Sequence, residues 1–258
     1  MFWQRVGALI IGIFVGFLGG LFGKGGSAVA TPLLSLIGFP GFVAVAAPLP
    51  ATIPGTLVAA AEYSHSHWMD WPVFWWSVAI GVPATILGAY LSKLTGATPL
   101  LLVTGVLVLA FGLSFLFEPR KATPGEDEDV PREIVRPRFW KLRLVAVAAG
   151  VGLVSGLLAN SGGFLLAPSY AKFLGHPIKR AFATSLAVAA VLAVPGTVVH
   201  AYLGHIDWAV AGLIAVGSVP SSYFGAKLAL RSRSEKLEML YGAVLTALGA
   251  FFLIHGVR

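Results

Sequence analysis

The sequence contains no cysteine, and only 11% of its 258 residues are charged. The absence of cysteine excludes a disulfide framework and any metal site with thiolate ligands. A soluble domain carries roughly 25% charged residues, so the few charges here cannot cover a surface that faces water. Because 57% of the residues are hydrophobic, the sequence predicts that most of the surface faces lipid.

Signatures of soluble enzymes are also missing. The sequence has no GxSxG elbow, no Walker loop and no HExxH pair. A net charge of +7 would favour nucleic-acid binding in a soluble protein, but Lys and Arg also accumulate in the cytoplasmic loops of membrane proteins. We therefore expect no enzyme activity, no cofactor, no metal ion and no nucleic-acid partner.

Ten apolar segments fill the chain, and most approach the ~20 residues that a membrane-spanning helix needs. One hydrophilic stretch, Glu118 to Arg138, has four consecutive acidic residues and several prolines, a composition typical of a flexible linker. The sequence therefore predicts an all-α polytopic membrane protein with a first repeat at 1–117, a linker at 118–138 and a second repeat at 139–258. The segments run about 5–22, 25–38, 41–63, 71–92, 98–117, 139–158, 162–174, 178–203, 208–230 and 236–257.

The two halves carry the same short motifs in the same order. The offset is about 137 residues, except for one pair that needs 141. A series of matches at a near-constant offset indicates an internal duplication. The matched pairs are Gly20–Pro32 with Gly156–Pro168, Gly38–Pro40 with Gly175–Pro177, Pro54–Thr56 with Pro195–Thr197, Asp70–Trp71 with Asp207–Trp208, and Gly88 with Gly225.

The positive charges favour two inverted repeats of five transmembrane or half-membrane helices. An odd number of crossings per repeat inverts the second copy, whereas the short second segments, if re-entrant, would make the copies parallel. With ten crossings and a cytoplasmic linker, fourteen Lys and Arg residues lie inside and three outside, with Lys24 set aside. If the short second segments are re-entrant, nine Lys and Arg residues lie inside and eight lie outside. The positive-inside rule therefore favours ten crossings, with both termini outside.

A glycine-rich turn follows the first segment of each half. A break in a membrane helix leaves backbone N–H groups that must line a cavity or meet a ligand, and the N-terminus of the next half-helix suits an anion. Lys24 lies between long apolar stretches, where a bound anion would be a natural partner. Alternatively, the glycines only permit close packing and Lys24 extends to the membrane surface. The expected substrate-binding residues are Lys24, Gly25, Gly26, Ser27, Asn160, Ser161, Gly162 and Gly163.

Hydroxyl groups near the prolines of the third segments are further candidates. Thr52, Thr184 and Ser185 could donate to the oxygens of an anion, or could bond to their own helix. Glu62 and His200, toward the ends of these segments, could carry a coupling proton or could contact headgroups and water at the interface.

One short loop contains several residue types that can bind a metal ion. His65, His67 and Asp70 lie close together in sequence. They lack a fixed helical spacing, so the pattern is weak evidence for a metal ion.

The two glycine-rich turns, the Gly-x-Pro turns and the stretch Gly204–Trp208 resemble the TauE/SafE family of membrane permeases. The resemblance covers nearly the whole chain outside the linker. It implies transport of sulfite, organosulfonates or related anions across the bacterial inner membrane, with Lys24–Ser27, Asn160–Gly163, Thr184 and Ser185 at the site. The first half departs from the pattern, since Ala47-Pro48 stands where the second half has Thr184-Ser185.

Together these observations predict a secondary transporter, most simply an exporter, of a small anion such as sulfite. The turns would form a site near the midplane, and rocking of one repeat against the other would expose it alternately, coupled to a proton or sodium ion. The alternatives are a membrane-embedded enzyme or receptor for a lipid-like ligand, which needs convergent acid/base or metal-binding groups, and an uncoupled anion channel, which needs a continuous polar pore. Substrate, direction, coupling ion and oligomeric state stay open.

Overall fold

The computed structural model describes residues 2–23, 27–91, 97–117, 136, 138–158, 161–202 and 204–256. These residues form helices and connecting turns, with no strand among them, and seven helical stretches are long and apolar enough to cross a membrane. The prediction of an all-α polytopic membrane protein is confirmed. The helices are α1 (Phe2–Phe22), α2 (Ser27–Leu36), α3 (Gly41–Ala46), α4 (Pro48–His65), α5 (Trp71–Leu91), α6 (Ala97–Phe117), α7 (Trp140–Leu157), α8 (Gly163–Phe173), α9 (Ile178–Tyr202), α10 (Trp208–Arg231) and α11 (Ser234–Gly256).

The helix ends follow the predicted segments, with one difference. The third segment is divided into α3 and α4 at Ala47, because Pro48 has no N–H to continue the hydrogen-bond ladder. Helices α2 and α8, with 10 and 11 residues, are only about 15–17 Å long and are short for a full crossing. The predicted linker lies outside the described residues except for positions 136 and 138.

Polar contacts gather several helix ends at one end of the bundle, which we call the linker end. Lys172 Nζ, near the end of α8, donates to the carbonyl of Ser114 on α6. Arg143, near the start of α7, donates to the carbonyl of Phe173. Lys179, at the start of α9, donates to the carbonyl of Leu230 at the end of α10. The chain therefore leaves this end in α7 and α9 and returns to it in α6, α8 and α10.

Helices α1 and α10 approach so closely that only glycine fits between their backbones. A Cβ atom added at Gly20 would lie 2.0 Å from the carbonyl oxygen of Ser222, and one at Gly225 would lie 2.2 Å from that of Phe17. Gly16 faces Ser218 in the same way. Lipid tails are as apolar as Leu, so membrane helices associate through such close packing of small residues.

The pair of α7 and α5 repeats this contact at the matching positions. A Cβ added at Gly156 would lie 2.0 Å from the carbonyl oxygen of Thr85, and one at Gly88 would lie 2.2 Å from that of Leu153. Gly156 follows Gly20 by 136 positions and Gly225 follows Gly88 by 137. Each half thus packs its first helix against a helix of the other half, through the same glycines.

The bundle contains two groups of helices that each mix the halves. One hydrophobic core joins α1, α2, α3 and α4 to α10, through residues such as Val15, Leu34 and Ile214. In the second group, α5 packs on both α7 and α9, and α8 packs on α9. We call these the α1–α10 group and the α5–α9 group. Helix α4 of the first group also packs on α9 of the second, and α6 packs on α11.

The close approach predicts that alanine is not tolerated at the two symmetry-related glycines. Gly20→Ala and Gly156→Ala should each destabilise the protein by about 1–3 kcal/mol, because the added methyl forces the helices apart. Gly212, on α10, has open space at its Cβ and provides the control. Heat-induced loss of the monodisperse species in detergent measures the effect. A Gly20→Ala protein as stable as the Gly212→Ala protein would contradict the proposed contact.

Candidate functional site

The first glycine turn is held against α9 by one of the predicted site residues. Gly23 has a left-handed backbone (φ +63°), and an added Cβ would lie 2.3 Å from the Cα of Phe182. The Ser185 hydroxyl donates to the carbonyl oxygen of Gly23 at 2.6 Å and also lies 3.0 Å from that of Phe182. Ser27 begins α2, while the predicted residues Lys24, Gly25 and Gly26 lie outside the described residues.

The second turn has the same left-handed geometry immediately before a short helix. Gly162 has φ +69° and caps α8, which begins at Gly163. Its carbonyl accepts the N–H groups of Leu165 and Leu166, and an added Cβ would lie 2.5 Å from the Ser155 hydroxyl. Ser161 is fully buried. Asn160 lies outside the described residues, so its role, like that of Lys24, stays a prediction.

Thr52 lines a small polar cavity between α1, α4 and α10. Its hydroxyl donates to the carbonyl of Leu49 within its own helix, and Ser222 donates across to the carbonyl of Gly55. The cavity has a volume of about 10 Å³, which is room for roughly one water molecule. The other hydroxyls around it belong to Thr56 and Ser218.

Thr184 contacts a buried charge cluster that the sequence analysis did not predict. Its hydroxyl accepts the backbone N–H of Asp70 at 3.2 Å. The Asp70 carboxylate pairs with Arg136 at 3.1 Å and with His176 Nε2 at 3.3 Å, and it also accepts the N–H of Val73 in the first turn of α5. Asp70 and His176 are both buried, so this cluster closes the linker end around one carboxylate.

One of the two buried groups is charged at neutral pH and the other is neutral. Burial raises the pKa of the Asp70 carboxyl, but the hydrogen bond and charge of His176, the Val73 N–H and Arg136 outweigh it and bring the pKa to about 2. Burial lowers the pKa of His176 by more than Asp70 raises it. At neutral pH we infer an ionised Asp70 that accepts the Nε2–H of a neutral His176. Nδ1 of His176 is buried and has no hydrogen-bond partner among the described residues.

Two residues of this cluster lie in repeated motifs of the sequence, but the sequence does not show that they contact each other. Asp70 matches Asp207 in the repeat, and His176 lies inside the repeated Gly-x-Pro turn. Asp207 caps α10 by accepting the N–H groups of Ala209 and Val210, and Asp70 caps α5 in the same way. Of the two matched aspartates, Asp70 is the one that the fold brings into contact with Arg136 and His176.

The two predicted coupling residues do not lie together. Glu62 is half-buried near the linker end of α4. His200 is near the opposite end of α9, where its Nδ1 lies 3.2 Å from Nδ1 of His205. Among the described residues no group of three or more His, Cys, Asp or Glu side chains could hold a metal ion, and this includes the loop of His65, His67 and Asp70.

Long apolar helices packed through direct backbone contact define a multi-pass membrane protein. The chain belongs to the family described as Sulfite exporter TauE/SafE, whose model matches residues 8–252. It is 25% identical to "Probable membrane transporter protein YunE" of Bacillus subtilis (strain 168), over 96% of this chain and 97% of the relative. It is 28% identical to a "Probable membrane transporter protein" of Xylella fastidiosa (strain 9a5c), over 94% of this chain and 92% of the relative. No solved structure matches. The family resemblance is confirmed, and the family is one of membrane transporters.

The buried imidazole predicts a specific loss of stability at mildly acidic pH. Since the pKa of His176 is lowered in the folded protein, the unfolded chain takes up a proton first as the pH falls below about 6.5, and the folded state loses stability there. His176→Gln keeps an N–H donor for Asp70 but cannot titrate. Its melting temperature in detergent should fall less between pH 7.5 and about 5.5 than that of the wild type.

The control for this experiment is His65→Gln, because His65 is exposed at the end of α4. That variant should keep the wild-type pH dependence. If His176→Gln and the wild type lose stability in parallel, His176 is not a buried neutral group.

Proposed function

We propose that the protein is a secondary transporter that exports a small anion, such as sulfite or an organosulfonate, across the bacterial inner membrane. The observation that carries the proposal is the pair of glycine turns. Gly23 and Gly162 share a left-handed backbone, and each turn leads into a short helix, α2 or α8. The N-terminus of a helix carries about +0.5 charge and unpaired N–H groups, which favour an anion.

The positive charge of Lys24 is the reason that we propose a negatively charged substrate. Lys24 directly follows Gly23, between two apolar segments, and a lysine at membrane depth costs about 2.5–3.5 kcal/mol on insertion scales unless it has a partner. In the proposal the substrate oxygens accept hydrogen bonds from Lys24, Asn160 and the free N–H groups of α2 and α8. Ser185 positions the first turn through the carbonyl of Gly23.

Alternating access would move the α1–α10 group against the α5–α9 group. This differs from the rocking of one sequence half against the other, because the contacts at Gly20 and Gly156 tie each first helix to the opposite half. At the linker end, polar bonds join the two groups: Ser185 binds the Gly23 carbonyl and Lys179 binds the Leu230 carbonyl. Opening toward the linker side would break these bonds.

The alternatives receive less support from the described residues. A membrane-embedded enzyme needs convergent acid/base groups, yet the apolar groove between α6, α7 and α8 has Arg143 as the one ionisable residue among its described lining residues. A channel needs a continuous polar pore, whereas the polar cavity beside Thr52 has room for about one water.

Anion flux into proteoliposomes tests the proposal. Sulfite, sulfate and short organosulfonates are compared with and without a pH gradient, and the gradient dependence reports coupling. Lys24→Ala and Asn160→Ala should each weaken anion binding about tenfold or more, because each removes a hydrogen bond to a charged group. Lys236→Ala, an exposed lysine on α11, is the matched control. Wild-type flux and binding in both site variants would overturn the proposed site.

A further inference from the structure

A deep apolar groove runs along the outside of the bundle between α6, α7 and α8. Its volume is about 470 Å³, within the range of sites that hold small molecules. Its walls are apolar, and Arg143 is the one ionisable side chain that lines it. The apolar walls include Leu107, Phe111, Val147, Val151 and Leu165.

The length and depth of the groove match one leaflet of a bilayer. Along α7 the lining runs from Arg143 to Val154, which corresponds to about 16 Å of helix. Half of the ~30 Å hydrocarbon core is about 15 Å. Arg143 lies near the start of α7, at the linker end, so the groove extends from the headgroup level of that leaflet toward the bilayer centre.

Arg143 places a positive charge at one end of the groove. It donates one hydrogen bond to the carbonyl of Phe173, and a guanidinium has five N–H donors, so further donors can face a phosphate. Arg138 and Lys141 are also exposed, close to Arg143 in the sequence. Basic pockets between membrane helices bind the headgroups of anionic lipids, with about 1 kcal/mol for each Lys or Arg near the surface.

Two residues of the groove, Gly150 and Arg143, differ from the residues at the matching positions of the first half. Gly150 lines the groove, and a Cβ added there would meet nothing within 4 Å. At the offset of 136 that relates Gly20 to Gly156, Gly150 corresponds to Phe14 and Arg143 corresponds to Gly7. The first half therefore has a bulky ring at the position of Gly150 and no cation at that of Arg143. A lipid site between α6, α7 and α8 would therefore be asymmetric within a chain whose halves carry the same motifs.

We propose that this groove binds one acyl chain of an anionic phospholipid from the linker-side leaflet, with the lipid phosphate on Arg143. The site is separate from the glycine turns and does not rest on the proposed anion transport. The binding is noncovalent: the apolar walls bury the acyl chain, and the guanidinium selects a negatively charged headgroup.

Native mass spectrometry of the detergent-purified full chain tests this site with phosphatidylglycerol and phosphatidylcholine as probes. The wild type should retain phosphatidylglycerol about fivefold more strongly than phosphatidylcholine. Arg143→Gln should remove this preference. Arg231→Gln, which changes an exposed arginine at the end of α10, should keep it.

A second pair of variants tests the apolar part. Gly150→Phe, which copies the first half, should reduce the retention of both lipids because the ring fills the groove. Gly212→Phe places the same ring on an open surface of α10 and should leave retention unchanged. Melting temperatures show that both variants fold.

Three results would overturn the proposal. These are equal retention of the two lipids by the wild type, an unchanged preference in Arg143→Gln, and full retention in folded Gly150→Phe. Crosslinking that places a second copy of the chain in the groove would also overturn it, because that copy would occupy the space of the acyl chain.

Discussion

Direct backbone contact at glycine is the constraint on which the rest of this structure depends. Two apolar helices in lipid gain nothing from hiding apolar surface from water, so they are held by close packing and hydrogen bonds. At Gly20 and Gly156 the packing is so close that no Cβ fits. Because each glycine faces a helix of the opposite half, each of these contacts joins the two halves of the chain. The groups of helices that pack together are therefore not the two halves of the sequence.

Polar contacts accumulate at the linker end, both between the two groups and within the α5–α9 group. Ser185 on α9 binds the Gly23 carbonyl at the end of α1. Within the α5–α9 group, Thr184 accepts the N–H of Asp70, whose carboxylate binds Arg136 and His176. Removing one partner of a buried ion pair costs far more than the pair contributes, because the other charge is left uncompensated. The cluster therefore ties the start of α5 to α9.

Much of the helical frame was predictable because each helix is specified locally. Long apolar runs ended by Gly, Pro and charged residues gave the helix limits to within a few residues, and Pro48 alone divided a predicted helix. The sequence singled out Thr184 and Ser185 as hydroxyls beside a broken segment, and their part in binding an anion stays a prediction. Their partners in the fold were not predictable, because Thr184 follows Asp70 by 114 residues and Ser185 follows Gly23 by 162. In the sequence, Arg136 is one of the positive charges of the linker and His176 lies in the repeated Gly-x-Pro turn. The offset between the repeats does not show which loops contact each other.

The sequence by itself determined that this chain is a membrane protein of duplicated helices, because composition, segment length and a repeated order of motifs are properties of neighbouring residues. It also placed glycines where helices must break or touch. The tertiary structure alone decided which helices touch, that Gly20 faces Ser222 and Gly156 faces Thr85, and that one of two matched aspartates becomes the centre of a buried ion cluster. It also decided that the gap at Gly150 opens onto a lipid-sized groove. These outcomes depend on contacts between segments far apart in the chain, and the same apolar pattern on every helix does not distinguish one packing partner from another.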